Sequence, residues 1–293
     1  MRNAKSALLA LHEELGRLKL LGEDTVFVSD ETLRSFKMYF QSSKSLQASK
    51  VPSPKVASSP VKKVVVKPVP QSPLPSIPKP EIFELPPGNK EEQWKWLRNR
   101  VLNCSVCKEN VMPGKQLVFG LGSLNADLFF VGEAPSEEDA LVGQPFVGDA
   151  GDLLTKILQA MGLEREQVYI GNVLNWKPDA GAGFGNRAPT KEELEFCGPY
   201  LKAQIDIVQP KLVVALGATA VNGILGMDKK RKLKDIRGQI LEYNGYPLMI
   251  TYHPAYVLRN GTKKTKRTIW EDLLVVMEKV QMPISEKQKR FFT

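Results

Sequence analysis

Between Ala126 and the C-terminus, short runs that are apolar at every position alternate with segments whose apolar residues recur every three or four places. The runs ADLFFVG, VYIGNVL and KLVVALG are too short for helices and lack the in-and-out alternation of a half-exposed strand. Such runs predict strands covered on both faces. Between and after them, GDLLTKILQAM, KEELEFCGPYLKAQIDIV and ATAVNGIL have helical spacing. GQILEYN and PLMITY are further strand candidates, and a closing helix is predicted from about Thr268 to Val280. The expected fold class is α/β, three layers αβα around a central, mostly parallel sheet, in one domain over 91–293.

The chain upstream reads differently. Leu8, Leu9, Leu11, Leu15 and Leu18 have helical spacing, so 1–47 is expected to be a short helical segment, too small for a core of its own. Of 21 prolines, 11 fall between Val51 and Pro87. Lys55, Lys62, Lys63, Lys67 and Lys79 have no acid among them from Val51 to Pro80. Such a stretch buries too little surface to offset its chain entropy, so 48–90 is expected to be a disordered linker. The net charge of +9 suits a polyanionic partner and equally a well-solvated surface. No apolar run is long enough to span a bilayer, and His12, Glu13 and Glu14 interrupt the place of a signal peptide. A soluble, cytoplasmic monomer without a membrane partner is expected. Three cysteines give no disulfide framework, but Cys104-Ser-Val-Cys107 in a reducing compartment points to metal or redox chemistry.

In an open parallel sheet, ligands bind at the carboxyl ends of the strands, so the loops just past each strand are the candidates. The first strand runs into Gly132-Glu133-Ala134-Pro135-Ser136, a turn of small residues that lets backbone amides approach a ligand beside one carboxylate; a plain strand-to-helix turn reads the same way. Phe146 follows among prolines and glycines, either a platform for stacking a planar base or a buried staple. Asn172 ends the next strand, where its amide can read a pyrimidine edge or simply cap a turn. His253 lies directly past a later strand, placed as an acid or electrophile or as an ordinary polar residue. Leu258 can wedge into a base stack, and Arg259, Lys263, Lys264, Lys266 and Arg267 form a basic run suited to phosphates.

Taken in order, GEAPSEEDALVGQPFVGDAGDLL, VYIGNVLNWKP, NRAPTKEELEFCGPYL, PKLVVALGATA and HPAYVLRN resemble the family-four uracil-DNA glycosylases, the iron-sulfur bacterial and archaeal branch of that superfamily. The resemblance spans about Cys104 to Leu274. It implies a uracil-DNA glycosylase-like fold and an intracellular bacterial enzyme that flips uracil out of single- or double-stranded DNA. The enzyme would hydrolyse the N-glycosidic bond and begin base excision repair. Glu133 and the Ala134 amide would face the bond to be broken, Phe146 would stack on the base and Asn172 would read its edge. His253 would stabilise charge on uracil O2 and Leu258 would fill the gap left in the duplex. A four-iron four-sulfur cluster is also implied, with Cys104, Cys107 and Cys197 as ligands.

Three places depart from the family pattern. Trp176 stands where the fourth cluster cysteine is expected. Either Asp179 or an external group completes the cluster, or the cysteines are remnants and Trp176 fills the space. The stretch Asp179-Ala180-Gly181-Ala182-Gly183-Phe184-Gly185 is an insertion. Ala140 replaces a usual acid, with Asp139 one place earlier, and Ser136 replaces a usual glycine. A binding protein that recognises uracil-containing or damaged DNA without turnover is the alternative function. A mononucleotide-binding module is disfavoured, because no glycine-rich phosphate loop follows the first strand.

Overall fold

The computed structural model describes residues 77–178 and 187–293. The leader, the linker up to residue 76, and the insertion from Asp179 to Gly185 lie outside the described residues. In chain order the elements begin with α1 (Lys90–Asn103), α2 (Ser105–Glu109), β1 (Leu121–Gly122), β2 (Leu128–Gly132), α3 (Glu137–Val142), α4 (Asp149–Met161) and β3 (Tyr169–Asn172). They continue with α5 (Lys191–Val208), β4 (Leu212–Leu216), α6 (Gly217–Leu225), α7 (Leu233–Ile236), β5 (Ile240–Tyr243), β6 (Tyr246–Thr251), α8 (Pro254–Arg259), α9 (Lys263–Lys279) and α10 (Glu286–Lys289).

The sheet has the order β1-β3-β2-β4-β6-β5, with β3, β2, β4 and β6 parallel and both edge strands antiparallel to their neighbours. Every residue of β2, β3 and β4 is buried, as their unbroken apolar runs demand. Alternate side chains serve opposite faces. Leu128 and Phe130 pack with Leu154 and Leu158 of α4 and with Trp270 and Leu273 of α9. Phe129 and Val131 pack with Leu201 and Ile205 of α5 and with Val221 and Ile224 of α6. The three-layer αβα arrangement follows from that division.

A third apolar cluster lies beyond the sheet, where α1, Cys107, Trp176 and one side of α5 meet. Ile77, Phe83 and Leu85 pack on it. Strong local signals set the helix ends. Thr190 and Glu193 form a reciprocal capping box at the start of α5, and Gly162 ends α4 in the left-handed conformation. The closing helix starts five residues before the expected Thr268, because the Thr262 hydroxyl accepts the Thr265 N–H and nucleates a turn there. The basic run from Lys263 therefore sits on the first turns of α9 and not in a loop. Among the described residues, no helix is long and apolar enough to cross a membrane.

Candidate active site

Strand register gathers the site. Gly132 pairs with Asn172 across β2 and β3, and Leu216 pairs with Thr251 across β4 and β6, so all four parallel strands end level. Strand β2 is followed in space by β3 on one side and β4 on the other, so the chain reverses its winding between β2 and β4. Such a switch point opens a crevice at the carboxyl ends of the strands. Glu133, Asn172, the start of α6 and His253 all emerge there, from four different strands.

Gly132 floors the crevice. A Cβ at this position would lie 2.4 Å from Asn172 Oδ1 and 2.6 Å from the edge of the Phe146 ring. Asn172 and Phe146 therefore converge over a residue with no side chain. Both polar atoms of the Asn172 amide are buried and have no hydrogen-bond partner among the described residues. A buried unsatisfied polar group costs about 1–3 kcal/mol, so an arrangement with two such atoms needs a reason. A donor and an acceptor side by side match the edge of a planar amide such as a pyrimidine.

Phe146 has φ 57°, a left-handed conformation unusual for a side chain of this size. Neighbouring groups hold the loop in it. Asp139 is buried, and its two carboxylate oxygens accept the Val147 N–H at 2.8 Å and the Ser136 N–H at 3.1 Å. Arg165 donates to the Pro145 carbonyl. Gly151 passes so close that a Cβ there would lie 1.8 Å from the Phe146 carbonyl oxygen. Sequence reasoning noted Asp139 only as a displaced acid. Its legible signal was the spacing Ser136-x-x-Asp139, a capping box.

His253 is the N-cap of α8, with Pro254 in the first turn. Its Nδ1 accepts the Ala255 N–H at 3.1 Å, which assigns the single proton of a neutral ring to Nε2. Burial, reinforced by the Arg259 guanidinium, pushes its pKa down from 6.5 to about 4. The ring is therefore neutral at pH 7 and can donate from Nε2. It stacks on Phe146 with centroids 5.5 Å apart and planes 26° from parallel. Behind it Gly217 has φ 89°, and a Cβ there would lie 3.1 Å from His253 Cβ. Burial raises the Glu133 pKa above the ordinary carboxylate value, opposed by a hydrogen bond with Thr219 of α6 and by the charge of Arg259. Thr219 carried no signal in the sequence, because the contact joins the loop after β2 to α6, 86 positions on.

Ala134, Phe146, His253 and Leu258 border one cleft of about 200 Å³. Glu133 and Asn172 do not border it. Leu258 is half exposed, at 51%, on the outer side of α8. Lys263 and Lys264 are exposed at the start of α9, away from the cleft lining. Arg267, grouped with them in the sequence, is engaged by Glu271 and by the carbonyls of Lys289 and Phe291. Below the crevice Thr251 donates to Asp272 at 2.6 Å, and Arg237 pairs with the same carboxylate while lying over the Tyr252 ring. This buried network anchors the end of β6 two residues before His253.

Cys104, Cys107 and Cys197 approach one another: the Cys104 and Cys107 thiols are hydrogen-bonded, and Cys197 lies within electrostatic reach of both. Burial pushes the Cys107 and Cys197 thiols well up, so both stay protonated. Among the described residues, no group of three or more His, Cys, Asp or Glu is placed to hold a metal ion.

Residues 119–274 match the family model described as the uracil DNA glycosylase superfamily. A type-4 uracil-DNA glycosylase of Thermotoga maritima is 40% identical over 185 residues, covering 63% of this chain and 93% of the relative. One of Archaeoglobus fulgidus is 37% identical over 169 residues, covering 54% of this chain and 79% of the relative. A type-5 uracil-DNA glycosylase of Pyrobaculum aerophilum is more distant, at 28% over 205 residues, with 60% of this chain and 88% of the relative covered. With the αβα sheet, its switch-point crevice and these matches together, the chain belongs to the uracil-DNA glycosylase superfamily and within it to the type-4 branch.

Proposed function

We propose that this chain excises uracil from DNA, hydrolysing the bond between uracil N1 and the sugar C1′ and leaving an abasic site. The observation that carries the reading is the unpartnered, buried amide of Asn172 beside Phe146, on which His253 stacks. A flipped uracil supplies what that amide lacks, a carbonyl to accept from Nδ2 and an N–H to donate to Oδ1. Its face stacks on Phe146, a contact of about 1–3 kcal/mol.

As the bond to C1′ breaks, its electron pair moves onto the base, and the anion is shared between N1 and the two ring carbonyl oxygens. The neutral His253 donates from Nε2 to O2, where this charge develops. One preorganised donor of this kind is worth about 3–4 kcal/mol of barrier. Glu133 orients water at C1′ and takes its proton as the oxygen adds. A carboxylate whose pKa is raised by burial is a better base than one in water, which supports that role. The Ala134 amide faces the same bond. Leu258, exposed at the cleft mouth, fills the place of the extruded base, and Arg259, Lys263 and Lys264 meet the phosphates. Extrusion costs a few kcal/mol and least where the base is mispaired or unpaired, so single strands and G·U pairs are the better substrates.

The test is incubation with a uracil-containing oligonucleotide followed by alkaline cleavage. Strand scission with the wild-type chain, lost in His253→Ala and strongly reduced in Glu133→Ala, is the expected result. Tight binding of the oligonucleotide with no free uracil would instead identify a damage-binding protein of the same fold.

A further inference from the structure

Trp176 lies at the place where the family resemblance calls for the fourth cysteine of an iron-sulfur cluster. It follows β3, is 1% exposed, and packs with Leu97, Val101, Leu174, Phe196 and Cys197. Its ring centroid is 6.3 Å from that of Phe196. Its indole N–H donates to Glu193 Oε1 at 3.4 Å. Glu193 is itself buried and receives a fork from Arg187, at 2.6 and 2.7 Å, and the Thr190 N–H at 2.7 Å. The indole is therefore fixed by packing on one side and by a satisfied carboxylate on the other.

The cysteines have hydrogen-bond partners within the protein as well. The free Cys104 thiol is hydrogen-bonded with Cys107 and with the Tyr200 hydroxyl, and Cys197 Sγ accepts the Asn175 side-chain amide at 3.8 Å. A four-iron four-sulfur cluster takes four thiolates around one centre. This chain has three cysteines, which, though near one another, form no group placed to hold a metal ion among the described residues, and an indole fills the fourth place. The residues present do not fit the cluster.

We infer that this member of the family has exchanged its cluster for a packed, metal-free core in which Trp176, held by Glu193 and Arg187, ties the exit of β3 to α5. A cluster would join three stretches of chain: the α1–α2 junction through Cys104 and Cys107, the loop after β3, and α5 through Cys197. The third apolar cluster joins the same stretches through Leu97, Leu174, Trp176 and Phe196. Replacement is chemically consistent because a structural metal supplies no reacting group here, and an apolar core can hold the same stretches of chain, with Ala134 of the site packed against it.

The test uses the full chain, purified without oxygen and then incubated with ferrous iron, sulfide and a thiol reductant before desalting. Expected is colourless protein with no retained iron or acid-labile sulfide and an unchanged melting temperature after chelation. Stoichiometric iron with a broad band near 400 nm, lost together with the fold on chelation, would overturn the inference. W176C, treated identically, completes the set of four thiols and is expected to retain iron. An iron-free, folded W176C would overturn the assignment of Trp176 to the ligand's place. Should W176C fail to fold, C104S decides, since a metal-free core predicts a melting temperature close to wild type, whereas a cluster held by three thiols predicts its loss. None of these readouts depends on uracil excision.

Discussion

His253 illustrates how one backbone contact can set the chemistry of a side chain. Because Nδ1 is occupied by the Ala255 N–H, the ring has one proton to offer and one nitrogen to offer it from. Its depressed pKa also has a consequence for pH. In the proposed mechanism the active form is the neutral ring, so protonation should remove activity only as pH falls towards about 4, whereas an unperturbed imidazole would fail near 6.5. Glu133 acts in the same direction from above, since its raised pKa moves loss of the carboxylate to higher pH than the ordinary 4.5. The kcat/KM profile should therefore have an acid limb set by Glu133, above the ordinary 4.5, with His253 adding a further loss only towards about 4. A limb centred at 6.5 that persists in the residual activity of Glu133→Gln would count against a neutral donor. Asn172 gives a second test at this scale. Asn172→Ala removes both edge contacts and the two orphaned atoms together, so folding stability should hold or rise. The value of kcat/KM on uracil should fall by about 10- to 100-fold, the equivalent of roughly 1–3 kcal/mol.

Between α3 and α4, a loop presents Phe146 in a backbone conformation that costs about 1–3 kcal/mol and is retained because its surroundings over-determine it. Asp139 contributes twice, capping α3 and accepting the Val147 N–H. Asp139→Ala should lower stability by about 1–2 kcal/mol, as lost caps do, and should reduce excision by letting the ring leave its platform. If Asp139 acts on catalysis only through Phe146, then Asp139→Ala made in a Phe146→Ala background should cost stability but little further activity. A double-mutant cycle in kcat/KM reads this coupling, and additive losses would give Asp139 a separate role. The first turns of α9 raise the complementary question of charge. They carry Lys263 and Lys264 with no acid, at the end of a helix that disfavours cations by about 0.3–1 kcal/mol each. Their placement is poor for stability and good for an anion.

Across the whole molecule, the net charge of +9 and a crevice at the carboxyl ends of the strands lead, on the proposed function, to an affinity for DNA set by phosphates more than by bases. Lys263→Ala with Lys264→Ala should weaken binding to uracil-containing and ordinary DNA alike and flatten the log-log salt dependence by about 0.9 for each phosphate no longer neutralised. Melting temperature should stay level or rise, because the helix loses unfavourable charge. A double variant with unchanged salt slope would return both lysines to solvent.

Much of this protein was legible in one dimension. Strands β2, β3 and β4 could be read from unbroken apolar runs, because a strand covered on both faces leaves no polar position, and helix starts could be read from Ser136, Thr190 and their partners three residues on. The candidates Glu133, Phe146, Asn172 and His253 were also visible, since each directly follows a strand or stands in a stiff loop, and five motifs in order carried the family resemblance. Only the tertiary structure decided what those residues meet. Thr219 beside Glu133, Arg165 on the Phe146 loop and Asp272 under Thr251 are contacts between distant positions, and no local periodicity encodes them. The same holds for Trp176. As a letter, it was compatible with a cluster completed by another ligand or with none, and the choice rests on the volume its indole fills and on the carboxylate its N–H reaches across to α5. Sequence pattern reports what a residue does for its own element, whereas packing and electrostatics depend on which elements the fold lays against it.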